Sequence, residues 1–458
     1  MASMAAIAPE VVLLLSALLT LFADAVFRGR ERVGAWIGVV GCTLAAGLSA
    51  AGGPGATMFG GQIAVDGAAL FARTVTLLLA AVFFLWLAGA GLTRGSVREF
   101  AALALFGTLG ALLVISARDW VVLLLALETA TMPAYVLMGF DRRDDRSLEG
   151  ALKYFLLSMV ASVVFLYGIS FIVGMSGSTA FSATRLQPGA IGLVAAVFVV
   201  AGLLAKLSAV PFQWWAPDAY SAAPAPSVAF VSSVPKIAGL VAFARVIALL
   251  APQARGLTWV VAGAAVLSML LGNLAAYPQQ DLRRLMAYSG IAHAGYLLVG
   301  LSAGTAGGLR AAAFYAVAYA VPSMAIMLIV AGVGDRLDDF KGLASRRPYL
   351  AWTMTLLLLS LIGVPPLAGF TGKLYVFTAA ISGGLLGVAV LGVVLSVVAA
   401  GFYLRIVRAM FFSEPVGTAI SSGPAPASLV AILACAAAVV AIGIASSPLL
   451  SLIVFSPR

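Results

Sequence analysis

The sequence predicts an all-α polytopic membrane protein of about fourteen transmembrane helices. Three observations carry that expectation. The chain of 458 residues is 63% hydrophobic and only 10% charged, where a soluble domain carries about 25% charged residues. Apolar runs long enough for a hydrocarbon core of about 30 Å recur along its whole length. The connections between them are short, which leaves no room for a sizeable soluble domain.

The spans fall near 4–26, 33–53, 67–92, 99–117, 120–140, 150–175, 189–215, 225–250, 257–277, 282–303, 309–333, 350–379, 384–412 and 427–454. The first begins in "MASMAAIAPE". It has no basic n-region and no small-residue cleavage site, so it reads as a retained span rather than a signal peptide. Spans 1–3 (residues 1–98) form an N-terminal group. Spans 4–8 (99–250) and 9–13 (257–412) form two five-helix units. The last span (427–454) closes a single transmembrane domain, 1–458.

Spans 7 and 12 read as discontinuous. Span 7 contains "AKLSAVPFQWW" and span 12 contains "LIGVPPLAGFTGKLYVF". Each has proline at mid-membrane depth, which removes a backbone donor and opens a helix. Each has a lysine within one or two turns of the proline. The two spans are five apart, an odd number, so the two units are expected to be inverted repeats, a mark of ion-translocating membrane folds.

Orientation follows from basic residues in the connections. The odd-numbered connections hold sixteen: Arg28, Arg30, Arg32, Arg94, Arg98, Arg142, Arg143, Arg146, Arg283, Arg284, Arg336, Lys341, Arg346, Arg347, Arg405 and Arg408. The even-numbered ones hold four: Arg118, Arg185, Arg255 and Arg310. Positive charge marks the cytoplasmic side, so both termini are expected outside. The formal net charge of +10 then reflects basic loops, not a nucleic-acid surface. Cys42 and Cys435 lie in separate spans, with no CxxC pair or Cys/His cluster, so no disulfide framework, zinc site or iron–sulfur site is expected.

The candidate functional residues are the ionisable groups inside the spans. Four of the five lysines, Lys153, Lys206, Lys236 and Lys373, fall in apolar segments. A lysine at a helix centre costs roughly 2.5–3.5 kcal/mol on insertion scales. Arginine stays protonated in proteins, whereas a buried lysine changes protonation state readily. Lysine at these positions therefore points to proton loading and release. Lys153 lies only three residues into its span and also fits a snorkelling side chain. Glu128, in "WVVLLLALETATMPAY", is the carboxylate nearest a span centre; Glu10 and Asp24 lie toward segment ends. It is the natural partner for a buried lysine, as a static pair or as one whose separation changes. His293, in "AYSGIAHAGYLL", is the only histidine. Its neighbours Tyr288, Ser289, Tyr296, Tyr315 and Tyr319 suit a hydrated relay, and a metal role lacks partner ligands.

Four stretches carry a family resemblance: "LEGALKYFLLSMVASVVFLYGIS", "AKLSAVPFQWWAPDAYSAAPAPSVAFVSSVPKIAGLVAFAR", "DLRRLMAYSGIAHAGYLLVG" and "GVPPLAGFTGKLYVF". They closely resemble the antiporter-like subunits of NADH-quinone oxidoreductase, respiratory complex I. The "ALKYFLLS" run looks most like the subunit N branch. The resemblance implies a proton-translocating membrane subunit. It implies that Glu128 is the helix-5 glutamate and Lys206 its helix-7 partner. By the same likeness Lys236 is the central lysine of the broken-helix neighbour, span 8, and His293 the helix-10 histidine. Lys373 matches the helix-12 lysine on the exit side, and Lys153 the extra lysine of that branch. Gln213 stands where the family usually has histidine, and it cannot titrate. The resemblance also implies FMN, iron–sulfur clusters and quinone in partner subunits, with none on this chain. It implies other complex I subunits and the bilayer as partners, in a bacterial plasma membrane. A sodium–proton antiporter subunit of the multisubunit type shares Glu128, Lys206 and the broken helices, and is the competing reading.

Overall fold

A computed structural model describes residues 2–26, 31–415 and 425–456. Arg28 and Arg30, two of the loop cations counted above, lie outside the described residues. The helices are α1 (Ala2–Val26), α2 (Val33–Gly52), α3 (Gly67–Ala90), α4 (Val97–Ser116), α5 (Trp120–Met138), α6 (Asp145–Ser176), α7 (Ala190–Lys206), α8 (Trp215–Ala222), α9 (Ala225–Val231), α10 (Val234–Leu250), α11 (Leu257–Ala276), α12 (Leu282–Ser302), α13 (Ala306–Val333), α14 (Leu343–Arg346), α15 (Pro348–Ile362), α16 (Ala368–Ser382), α17 (Leu386–Phe412), α18 (Pro426–Ile444) and α19 (Ser446–Leu452). Among the described residues, 11 helices are long and apolar enough to cross a membrane, and three shorter apolar helices lie in α1, α7 and α15. Together these match the fourteen expected spans.

Local chemistry sets the helix starts. Asp66, Ser96, Asp119, Asp144, Asp281 and Thr305 each accept a backbone N–H of the helix they precede, filling donors that the first turn leaves unpaired. A small antiparallel hairpin, β1 (Ala56–Met58) with β2 (Ile63–Val65), lies between α2 and α3. The sequence reading had no strand there.

Span 7 breaks after Lys206. Pro211 follows a cis peptide bond, and Ser208 takes φ 60°. The backbone groups freed by the break find protein partners, as irregular backbone at membrane depth requires. The Trp215 indole donates to the Ala205 carbonyl at 3.2 Å, and Val210 N–H donates to Ser268 Oγ at 2.9 Å. Span 12 breaks between α15 and α16, where Gly363 takes φ 97°, a left-handed turn that glycine adopts without strain. Span 8 is interrupted too, at Ser232–Ser233, whose hydroxyls donate back to the Ala229 and Phe230 carbonyls.

Large apolar side chains remain exposed on α1, α6 and α17, for example Phe22, Val163 and Val397. That is the expected surface toward lipid. By contrast α10, α12 and α13 are buried over most of their length. These three helices carry Lys236, His293 and Tyr319, so the ionisable residues sit in the middle of the bundle.

Candidate proton-transfer site

The site begins at an ion pair. Lys206 Nζ lies 3.1 Å from Glu128 Oε1. It also donates to Ser158 Oγ at 3.1 Å and to Thr131 Oγ1 at 3.4 Å. Ser162 Oγ donates to the same Glu128 oxygen at 2.6 Å. The other oxygen, Oε2, is buried without a hydrogen-bond partner among the described residues. Lys206 occupies the last turn of α7, where the negative end of the helix favours a cation.

A small cavity joins Lys206 to Lys236. It is lined by Thr131, Tyr154, Trp215 and Pro235 as well as by the two lysines. It leaves about 20 Å³ open to water centres, room for roughly one molecule. Lys236 has no carboxylate in ion-pair reach among the described residues. Its ammonium lies instead over ring faces, 5.9 Å from the Tyr220 centroid and 5.4 Å from that of Tyr319. The Tyr220 hydroxyl is buried and unpartnered among the described residues.

Tyr319 continues the row. Its ring centroid is 4.9 Å from that of His293. Gly290 leaves the space for this approach: a methyl group there would meet Tyr319 Oη at 2.8 Å and Lys236 Nζ at 3.2 Å. His293 is held at both nitrogens, Nδ1 with the Tyr315 hydroxyl at 2.7 Å and Nε2 with the Tyr403 hydroxyl at 3.2 Å. Tyr403 in turn shares a 2.5 Å hydrogen bond with Ser289. The Tyr296 ring, 5.6 Å from His293, bridges to Lys373, whose Nζ sits 4.8 Å from the Tyr296 centroid.

Lys373 closes the broken helix. Its ammonium donates to the Leu361 and Ile362 carbonyls, each at 2.9 Å, and to Ser396 Oγ at 2.5 Å. Those carbonyls end α15, so this ammonium too sits at the negative end of a half-helix.

Glu128, Lys206, Lys236, His293 and Lys373 thus form one buried row. Lys153 stands apart from it. Its side chain is 45% exposed and pairs with Glu149 at 2.8 Å and Asp218 at 3.2 Å; Asp218 also pairs with Arg284 at 2.8 Å. Gln213 is buried in the span 7 break. Two buried cations were missed from sequence. Arg73 pairs with Glu10 at 2.7 Å, and Arg245 pairs with Asp66 at 2.8 Å.

The fold and the row define a helical membrane protein with broken helices and a chain of buried ionisable groups, the construction of an ion translocator. Residues 117–399 match the family model described as NADH:quinone oxidoreductase/Mrp antiporter, TM. The chain belongs to that family. NADH-quinone oxidoreductase subunit N of Rhodospirillum rubrum is 39% identical over 403 residues, which cover 84% of this chain and 82% of that protein. A chain in respiratory complex I from Thermus thermophilus with bound aureothin superposes with TM-score 0.84 at 32% identity, covering 97% of this chain and 98% of that one. A chain of the Mrp complex from Dietzia sp. DQ12-45-1b shares the fold, with TM-score 0.85 at 21% identity over 99% of this chain and 96% of that one.

Proposed function

We propose that the chain is the proton-translocating subunit N of a complex I-type NADH-quinone oxidoreductase. The observation that carries this reading is the succession of neighbouring side chains from Glu128 through Lys206, Lys236, Tyr319, His293 and Tyr296 to Lys373, with a shared cavity between Lys206 and Lys236. In this reading the flavin, iron–sulfur and quinone chemistry resides in partner subunits. The protein lies in the bacterial plasma membrane among those subunits, with both termini outside. The units 99–250 and 257–412 act as the two half-channels.

The mechanism is electrostatic. At an effective dielectric constant of about 20, opposite charges about 3 Å apart attract by roughly 5 kcal/mol, and doubling the separation halves that. A change of about 2–3 kcal/mol shifts a protonation equilibrium by close to a hundredfold. A partner-driven change in the 3.1 Å Glu128–Lys206 separation therefore suffices to drive a proton between Lys206 and Lys236. Tyr319 and His293 carry it on, and Lys373 exchanges it at the far end. Lys153, exposed and neutralised by Glu149 and Asp218, takes no step in this path.

The test is proton pumping per NADH oxidised in membranes carrying Lys236→Met. Assembly with loss of pumping is expected. Wild-type pumping would remove Lys236 from the path.

A further inference from the structure

At the end of the bundle opposite the arginine-rich loops, two arginines share one carboxylate. Arg245 grips Asp66 with both terminal nitrogens, at 2.8 and 3.2 Å. Arg118 reaches the same carboxylate at 2.7 Å and Ser456 Oγ at 2.9 Å. Ser456 N–H also donates to Asp66, at 2.9 Å. The nearby Asp119 carboxylate is already engaged by the first turn of α5 and by Thr179. The trio thus carries a net charge of +1. The Nε atoms of both arginines are buried and have no hydrogen-bond partner among the described residues. Arg245 is only 4% exposed. Burial and the neighbouring Arg245 cation together bring the Arg118 guanidinium down to about 10. Two buried guanidinium groups with one shared anion are electrostatically incomplete.

The same two arginines line a cavity of about 260 Å³, with Thr57, Gln62, Ser182 and Ser456 on its walls. That is far more room than a halide fills, and the hydroxyl and amide groups can donate to further oxygens. Guanidinium forks match the oxygens of phosphate. A nearly wholly apolar groove of about 220 Å³ runs between α3, α13 and α18, lined by Phe71, Val75, Phe314, Val317, Cys435 and Leu449 among others. Phe71 follows Asp66 by little more than one helical turn. The C-terminal segment contributes Leu449 to the groove and Phe455 and Ser456 to the polar cavity.

We infer that the Arg118–Arg245 cavity binds a phosphate group. The apolar groove, which starts at Phe71 in the second turn of the helix that Asp66 caps, favours the phosphodiester of a membrane lipid, with an acyl chain beside α3, over free phosphate. The site is separate from the proton row, and no pumping residue takes part in it.

The test uses the assembled, delipidated complex in detergent. Retention of radiolabelled phosphatidylglycerol through gel filtration is measured in the wild type and in Arg118→Gln and Arg118→Lys. Arg118→Gln leaves the two-pronged Asp66–Arg245 pair in place, and assembly of each variant is checked by subunit composition. The expected result is a wild-type increment of bound lipid whose affinity falls about tenfold or more in Arg118→Gln, the scale of one charged hydrogen bond, and is largely kept in Arg118→Lys. A second arm measures binding of radiolabelled inorganic phosphate. An Arg118-dependent phosphate signal that displaces the lipid identifies the free anion as occupant and still supports the phosphate site. Equal lipid and equal phosphate binding in wild type and Arg118→Gln would overturn the proposal.

Discussion

Lys373 donates to the carbonyl of Ile362 at 2.9 Å, so a side chain from the second half of span 12 completes the end of the first half. With Leu361 as a second acceptor, the ammonium substitutes for the backbone donors that Pro365 and Pro366 lack. Lys373→Ala therefore removes the ammonium and leaves the Leu361 carbonyl short of a partner, while the Ile362 carbonyl keeps the Ser396 hydroxyl at 3.2 Å. Each unsatisfied buried group costs about 1–3 kcal/mol. A lower midpoint for thermal dissociation of the complex is expected, together with reduced pumping. An unchanged midpoint would mean that the Leu361 carbonyl does not depend on the lysine.

Gly290 sets the distance between Lys236 and His293. Gly290→Ala places a methyl group at 2.8 Å from Tyr319 Oη and 3.2 Å from Lys236 Nζ. Both atoms are far ends of side chains, so they can move at small cost to stability. The expected outcome is a well-assembled complex with pumping reduced several-fold. Full pumping with normal assembly would show that Tyr319 need not hold its present place.

Much of the row was legible in the sequence because each member is costly where it stands. A lysine in an apolar run, or a lone histidine in a span, is visible without a partner. The breaks of spans 7 and 12 were legible from Pro211 and Pro365–Pro366. What could not be read was who meets whom. Tyr319 links Lys236 to His293 from a third helix, and nothing in local periodicity marks it among the other tyrosines. Ser158 and Ser162, which join the Glu128–Lys206 pair, look like ordinary polar residues of a helix face. Arg73 and Arg245 escaped because a single charge barely lowers the hydropathy of a long apolar run, and their partners, Glu10 and Asp66, are remote in sequence. Lys153 shows the converse: its place near a span end suited snorkelling, and the structure leaves it half exposed beside Glu149 and Asp218.

The loop asymmetry predicts sidedness. A cysteine introduced into the 141–149 segment "DRRDDRSLE" should resist an impermeant maleimide added to intact cells and react once the membrane is permeabilised. Ready labelling in intact cells would reverse the orientation.

Asp66 predicts an acid-linked loss of stability. Burial raises its carboxyl, but Arg245 and the hydrogen bonds of Ser456 and Arg245 outweigh burial, and Arg118 adds to them, so the carboxyl lies below its ordinary range. Its stabilisation is therefore present above the unfolded value of about 3.9 and fades as pH falls through the lower folded value. Asp66→Asn should lower the thermal midpoint at pH 7, where about 3–5 kcal/mol is the usual cost of breaking a buried pair. The gap from wild type should narrow as the pH drops below about 4. A gap independent of pH would show that the charge of Asp66 is not what stabilises this end of the bundle.

Proton pumping by a Lys206→Arg complex tests the titrating role of the ion pair most directly. Arginine keeps the charge opposite Glu128 but does not deprotonate in proteins. Lys206→Met, similar in length and uncharged, controls for packing, and subunit composition verifies assembly. If Lys206 passes a proton to Lys236, the arginine complex assembles while pumping per NADH oxidised falls sharply, as it does in the methionine complex. Wild-type pumping in a fully assembled Lys206→Arg complex would contradict proton transfer through Lys206 and leave a static ion pair.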